Sequence, residues 1–321
     1  MFQYLFNSSE LIMLLGAIFA FACTFIVTKL GMGKLPTDRG KEFAHDGQAA
    51  KGKPQGAGLF FVLVFSVSAL LFAKIDIESI INIVIICGCM LTGYLDDAAT
   101  LPWGRVKKGL LDLALAIGVA VNYIFNNSCM IKIRILGDLS FDVNRIVMAV
   151  LIIAVVWCSI NVTNCADGVD GLSGTLSIIT LVTIYELYKI DGTELVNGYF
   201  VVLFIMCLLA YLWFNATPSV LMMGDAGSRA MGMMIAIAII KTNSIFAYAV
   251  VAIALILDGG LGLLKVALIK AFKIHIMKNI RTPLHDQVRK NMGWSNTQNV
   301  FRFAIIQIVI NVIYLYLISI V

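Results

Sequence analysis

Stretches of about 20 predominantly apolar residues recur along almost the whole 321-residue chain, separated only by short polar segments. Roughly 20 residues is the length of helix that crosses the hydrocarbon core of a bilayer. With 60% apolar and 13% charged residues and a mean hydropathy of +0.93, so much apolar side chain has no place inside a water-soluble globule. Lipid must serve as solvent, which excludes a pair of soluble domains and predicts one integral membrane domain over residues 1–321. The first stretch, Leu11 to Leu30, lacks a basic lead-in and a small-residue cleavage pattern, so it reads as a retained span and not a signal peptide. The seven cysteines (Cys23, Cys87, Cys89, Cys129, Cys158, Cys165 and Cys207) lie mostly in apolar stretches without zinc-site spacing, and are expected to be structural.

The expected fold class is an all-α polytopic membrane protein of about ten transmembrane helices. They fall near 11–30, 56–74, 77–95, 109–126, 145–163, 172–189, 195–214, 227–241, 245–271 and 298–320. The ninth stretch is over-long and contains Asp258-Gly259-Gly260, which predicts a tilted or broken helix with a polar interior point. Between the fourth and fifth stretches, Ile131, Ile133 and Ile135 alternate with Lys132 and Arg134 ahead of Gly137-Asp138, the pattern of a small extracytoplasmic hairpin. About 17 lysines and arginines fall in loops after odd-numbered spans, against about six on the other face, so the odd-span loops are expected to be cytoplasmic. Charge bias alone then gathers Lys51, Asp96, Asp97, Lys107, Asp167, Asp170, Asp225 and His285 on one side of the membrane.

Several polar segments on that side carry chemistry. Asp96-Asp97 closes the third stretch, where two adjacent carboxylates at the membrane edge are costly unless a cation or a wet cavity receives them. Asn161-Val162-Thr163-Asn164-Cys165-Ala166-Asp167-Gly168-Val169-Asp170-Gly171 follows the fifth. Its glycines let the backbone turn tightly while the asparagines and aspartates present donors and acceptors to a polar ligand. Met223-Gly224-Asp225-Ala226-Gly227 opens the eighth stretch. A carboxylate between glycines suits a hydrated magnesium ion, which takes one or two protein carboxylates and completes its shell with phosphate and water; Asp225 also reads as a helix cap. The last cytoplasmic loop is basic around Pro283-Leu284-His285, fitting an anionic substrate or head group with His285 donating to a phosphate oxygen. The first loop ends Lys51-Gly52-Lys53-Pro54-Gln55-Gly56-Ala57-Gly58, which suits a phosphate or a uracil-ribose edge but is not a Walker loop.

In this order the motifs resemble the polyprenyl-phosphate N-acetylhexosamine-1-phosphate transferases, and within that family its phospho-MurNAc-pentapeptide-transferring branch. The likeness rests on Lys51 to Gly58, Asp96-Asp97, Asn164-x-x-Asp167-Gly168-x-Asp170-Gly171-Leu172, Phe214-Asn215-Ala216, Met223-Gly224-Asp225, Pro283-Leu284-His285, Gly293-Trp294-Ser295 and Arg302-Phe303. It implies a homodimeric, magnesium-dependent, multi-pass enzyme of the bacterial inner (cytoplasmic) membrane, active on the cytoplasmic face. Its substrates would be UDP-MurNAc-pentapeptide and undecaprenyl phosphate, its products lipid I and UMP for peptidoglycan synthesis; no nucleic-acid partner is expected. Carried over by position, Asp225 is the metal ligand, and Asp96, Asp97, Asp225 and His285 form the catalytic group. By the same match Lys51, Asn164, Asp167, Asp170, Asn215 and Gly224 would line the nucleotide and phosphate pocket, and Lys107, Lys108, Asn161 and Met222 are further expected to bind substrate. Three departures stand out: Asp286 and Gln287 follow His285 where the branch usually has further histidines, Met222 replaces an aromatic residue that would stack on uracil, and the first loop reads Gln55-Gly56-Ala57-Gly58 where Thr-Met-Gly-Gly is common.

The implied reaction joins two anions, so charge neutralisation and alignment matter more than a strong base. The residues leave open whether Lys107 or Lys108 steadies that charge, and whether Asp96 or Asp97 holds metal, positions the lipid phosphate, takes a proton or becomes phosphorylated. Two alternatives are a sister transferase moving GlcNAc-1-phosphate from UDP-GlcNAc for a teichoic acid or surface polysaccharide, and, more remotely, a secondary transporter.

Overall fold

The computed structural model describes residues 9–38, 40, 51–137, 139–193, 197–277 and 279–320. Helix runs through each of the ten apolar stretches: α1 (Ser9–Gly31), α2 (Gly58–Phe72), α3 (Ile77–Ala98), α4 (Arg105–Asn126), α5 (Arg145–Ala166), α6 (Leu172–Ile190), α7 (Tyr199–Asn215) and α8 (Gly224–Ile240). The short α9 (Tyr248–Val251) and α10 (Ile253–Leu255) lead into α11 (Leu261–Phe272), and α12 (Leu284–Met292) precedes α13 (Asn296–Ile320). Residues 195 and 196, where the seventh stretch was expected to begin, lie outside the described residues, as does Asp138. Among the described residues, α1, α3, α4, α5 and α13 are each long and apolar enough to cross a membrane, and the bent ninth run makes a sixth; α2 and α7 are apolar but shorter.

Local chemistry sets several boundaries. Asp76 accepts the Ser79 N–H at 2.7 Å at the start of α3, and Asn144 accepts that of Ile146 at 2.8 Å at the start of α5, each satisfying a donor that the first helical turn leaves free. The bundle is apolar on its outer face, and its mostly apolar interior also takes in polar side chains. Leu30, Phe125, Ile146 and Phe301 are exposed, whereas Asn122, Ser159, Asn299, Gln307 and Asn311 are buried, the arrangement a hydrocarbon solvent demands. Helix α8 is buried from Ala226 to Ile240 and packs most extensively on α3 and α5, so its N-terminus is the fixed point of the molecule.

The ninth run is broken, but not where the Asp-Gly-Gly sequence pointed. The axis turns by 71° between Val251 and Ile253, and Asp258 instead sits in a single wide π turn, Ile256–Gly260. The sharp bend is possible there because neighbouring helices take up the freed backbone groups. Gln307 Oε1 accepts the Ala254 N–H at 2.7 Å. The Val251 carbonyl accepts from Gln307 Nε2 at 3.0 Å and from Thr180 Oγ1 at 3.0 Å. Partners on α6 and α13, absent from the local sequence, decide where the helix breaks.

Residues 130–142 form two short antiparallel strands, β1 (Met130–Ile133) and β2 (Leu139–Asp142), with Met130 opposite Asp142 and Ile133 opposite Leu139. Arg134, in the turn between them, is buried and ion-paired with Asp191 at the end of α6. Helix α12 lies in what the sequence offered only as a basic loop, and it carries His285.

Candidate active site

The carboxylates converge where α3 ends and α8 begins. Asp97 Oδ1 accepts the Asp225 N–H at 3.1 Å, and Asp97 Oδ2 accepts the Ala226 N–H at 3.1 Å. Gln55 Nε2 donates to Asp97 Oδ1 at 2.7 Å. An anion supplied by one helix thus caps the positive end of another. Gly224 has φ +66°, and a Cβ there would overlap the Asp97 carboxylate, so glycine is what lets the two segments meet.

Asp96 and Asp225 share one ammonium group. Lys108 is ion-paired with Asp96, and its Nζ lies 2.9 Å from Asp225 Oδ2. The other Asp225 oxygen accepts from Asn164 Nδ2 at 3.0 Å, and that amide also donates to Ser228 Oγ at 2.9 Å. Lys107 points elsewhere, over the Trp103 ring at 3.3 Å from its centroid. Of the two lysines left open by the sequence, Lys108 is the one in the cluster.

The Asp-Gly turn after α5 forms the next wall. Ser173 Oγ donates to Asp167 Oδ1 at 2.6 Å, and Asp170 Oδ2 accepts the Ser219 N–H at 3.2 Å. Lys53 reaches this wall: its Nζ donates to Ser219 Oγ at 3.0 Å and lies 3.8 Å from Asp170. Lys51, singled out from the sequence, is exposed. Lys53, the second lysine of the same glycine-flanked segment, was not carried over as a substrate-binding residue, yet it is the one whose side chain crosses to the α7–α8 loop.

Three other expected ligand-binding residues have internal duties. Asn215 is buried; it accepts the Gly171 N–H at 2.9 Å and donates to the Leu221 carbonyl at 2.9 Å, tying the turn to the α7–α8 loop. Asn161 turns back onto the Trp157 carbonyl of its own helix at 2.8 Å, away from the carboxylates. The Met222 backbone is laced to the first loop, its N–H donating to the Pro54 carbonyl at 2.8 Å and its carbonyl accepting from Ala57 at 3.1 Å.

His285 closes the site from the far side. Its Nδ1 lies 2.8 Å from Asp258 Oδ2, so the ring's other nitrogen faces Gly168, where a Cβ would overlap Nε2. Asp286 and Gln287, standing where the resembled branch has histidines, act locally. Asp286 pairs with Arg289 at 2.8 Å, and Gln287 Oε1 accepts the Arg281 N–H at 2.7 Å.

Among the described residues no group of three or more His, Cys, Asp or Glu side chains forms a metal cage. The donor set at Asp225 nonetheless fits magnesium, which needs only one or two carboxylates when phosphate and water fill the remaining positions. The Lys108 ammonium, held between Asp96 and Asp225, marks that gap as a place for positive charge.

A lipid-embedded helical bundle with carboxylates, lysines and a histidine gathered at one end of its helices defines a polytopic membrane enzyme handling anionic substrates. The chain belongs to glycosyl transferase family 4, whose sequence profile matches residues 79–243. It is 34% identical over 291 residues to the phospho-N-acetylmuramoyl-pentapeptide-transferase of Treponema pallidum (strain Nichols), covering 85% of this chain and 80% of that one. It is 27% identical over 300 residues to the protein of the same name from Chlorobaculum parvum, covering 84% and 81%. Against that of Rickettsia prowazekii it is 27% identical over 287 residues, covering 82% and 78%.

Proposed function

We propose that this protein transfers phospho-MurNAc-pentapeptide from UDP-MurNAc-pentapeptide to undecaprenyl phosphate, giving lipid I and UMP for peptidoglycan synthesis. It would do so on the cytoplasmic face of the bacterial cytoplasmic membrane. The observation that carries the reading is the Asp96–Lys108–Asp225 arrangement in a chain whose relatives bear that enzyme's name.

The chemistry follows from the charges. A phosphate monoester has a second pKa near roughly 6, so the acceptor is already mostly dianionic at neutral pH and the protein's task is to bring two anions together. Asp225 is the residue that would hold a magnesium ion, which when bound would supply positive charge to offset the charge of the phosphates. Lys108 offsets the negative charge of the reacting phosphates, and Asp96 holds that ammonium in place between substrates. Asn164 fixes the rotamer of Asp225. His285 donates through Nε2 to a phosphate oxygen beside the Gly168 turn, while Lys53 and the Asp167–Asp170 wall hold the nucleotide end. Asp97 spends both oxygens on the N-terminus of α8, which favours direct attack by the lipid phosphate over a phosphorylated Asp97.

The test offers purified protein UDP-MurNAc-pentapeptide and UDP-GlcNAc in parallel, each with undecaprenyl phosphate and magnesium, and measures UMP release and lipid product. Lipid I from the first donor supports the reading; turnover of UDP-GlcNAc alone moves the protein to the sister transferases. Asp225→Asn should insert and fold yet lose magnesium-dependent turnover, and near-normal activity in that variant would remove Asp225 as the metal ligand.

A further inference from the structure

One turn below the Lys108–Asp225 pair lies a second ion pair of opposite polarity. Arg229 donates through Nη2 to Asp112 Oδ1, and both side chains are almost completely buried, at 2% and 3% exposure. Lys108 and Asp112 are four residues apart on α4, and Asp225 and Arg229 four apart on α8, so each helix presents its two charges one above the other on a single face. Both helices start beside the carboxylate cluster, so they run in the same direction, and the second rung lies roughly 6 Å deeper than the first.

The alternation fixes a register. Sliding α4 by one turn in one direction would set Asp112 against Asp225; sliding it the other way would set Lys108 against Arg229. Either slip opposes like charges in a site of low dielectric. Helix α8 packs most extensively on α3 and α5, so α4 reaches it through long side chains. The deep pair is poorly suited to add stability: Arg229 Nη1 has no hydrogen-bond partner among the described residues, and a buried, incompletely satisfied ion pair recovers little of its desolvation cost.

We infer that Asp112 and Arg229 are positioning residues that set the register of α4 against α8 and so hold Lys108 on Asp225. Neither touches the reacting phosphates; they act through Lys108. The inference deepens the proposed phosphotransferase site, but its decisive measurement needs neither substrate nor metal.

In the full-length protein, free of metal and substrate, the rate at which an N-hydroxysuccinimide acetate acylates Lys108 is compared by mass spectrometry with that of Lys107, the exposed neighbour on Trp103. Asp112→Leu combined with Arg229→Met removes both charges but keeps bulk. It should raise the Lys108 to Lys107 labelling ratio about tenfold and, where turnover is measured, lower kcat by a similar factor with KM for the nucleotide sugar within about twofold. Asp112→Glu with Arg229→Lys, which keeps the alternation, should hold the wild-type ratio. An unchanged labelling ratio in the folded apolar variant overturns the inference. Should that variant fail to insert, Asp112→Asn is read by the same ratio. If the wild type turns over neither nucleotide sugar, the proposed donor is wrong, and the labelling result still decides the register.

Discussion

Asp258 holds His285 at two points: one carboxylate oxygen accepts the His285 backbone N–H at 2.7 Å, and the other lies 2.8 Å from Nδ1. The carboxylate is fully buried, and the backbone contact already commits one oxygen, leaving the second to accept the Nδ1 proton and aim Nε2 at the site, where Nε2 donates to a phosphate oxygen in the imidazolium form with both nitrogens protonated. The π turn is what brings Asp258 to this position, so the irregularity of the ninth run has a local chemical use.

Asp258→Asn should therefore be far more damaging than its size suggests. An amide presents one acceptor where two are needed, and its NH2 group opposes the Nδ1 proton. Activity is expected to fall about 10–100-fold, as for other partners that orient a histidine, with the protein still inserted. Steady-state kinetics on the purified variant check this, and a loss smaller than twofold would mean that Nδ1 needs no carboxylate.

Gly168→Ala tests the opposite side of the same ring. A methyl group there would overlap His285 Nε2, and the imidazole, anchored by Asp258, has little room to yield. A displacement of about 1 Å at a reacting group can cost about 10²-fold, so kcat should fall steeply while thermal stability in detergent changes little. Full activity would place Nε2 outside the reaction.

These residues also show how far the sequence could be read. The helical stretches were legible because hydrocarbon asks for long apolar runs, although among the described residues only five helices and the bent ninth run reach spanning length; that Asp96, Asp97 and Asp225 would meet was foreshadowed because charges at a membrane edge need a reason. What stayed hidden depends on which side chains meet across the bundle. No periodicity links Asp258 to His285, 27 residues later, or Asp112 to Arg229, 117 residues later. Asn215 has the donor and acceptor of a ligand-binding amide, yet it spends them on the Gly171 N–H and the Leu221 carbonyl. The break in the ninth run moved to Ala252 because its satisfying groups, Gln307 and Thr180, lie on other helices.

The two lysines of the first loop make a direct contrast. Lys53 touches Ser219 and stands beside Asp170, whereas Lys51 is exposed. Lys53→Met should raise KM for the nucleotide sugar about tenfold, the loss of roughly one charge-assisted contact, and Lys51→Met should leave it within about twofold. Measuring KM for both variants decides which lysine serves the nucleotide; the reverse order would return the role to Lys51.

Gln307 offers a prediction about stability and not chemistry. Its amide accepts the Ala254 N–H, donates to the Val251 carbonyl and also bonds Asn311 Oδ1 at 2.6 Å, so Gln307→Leu leaves the Ala254 N–H without its partner at the 71° break. Thr180 and Asn311 still reach the Val251 carbonyl, which limits the loss to about 1–2 kcal/mol, the scale of a polar contact between helices in a bilayer. Ile308, next in sequence, faces outward with 46% exposure, and Ile308→Ala should cost less than about 0.5 kcal/mol. Unfolding midpoints in detergent compare the two: a lower midpoint for Gln307→Leu alone places the cost at the broken helix, and equal midpoints would show that the break needs no side-chain support.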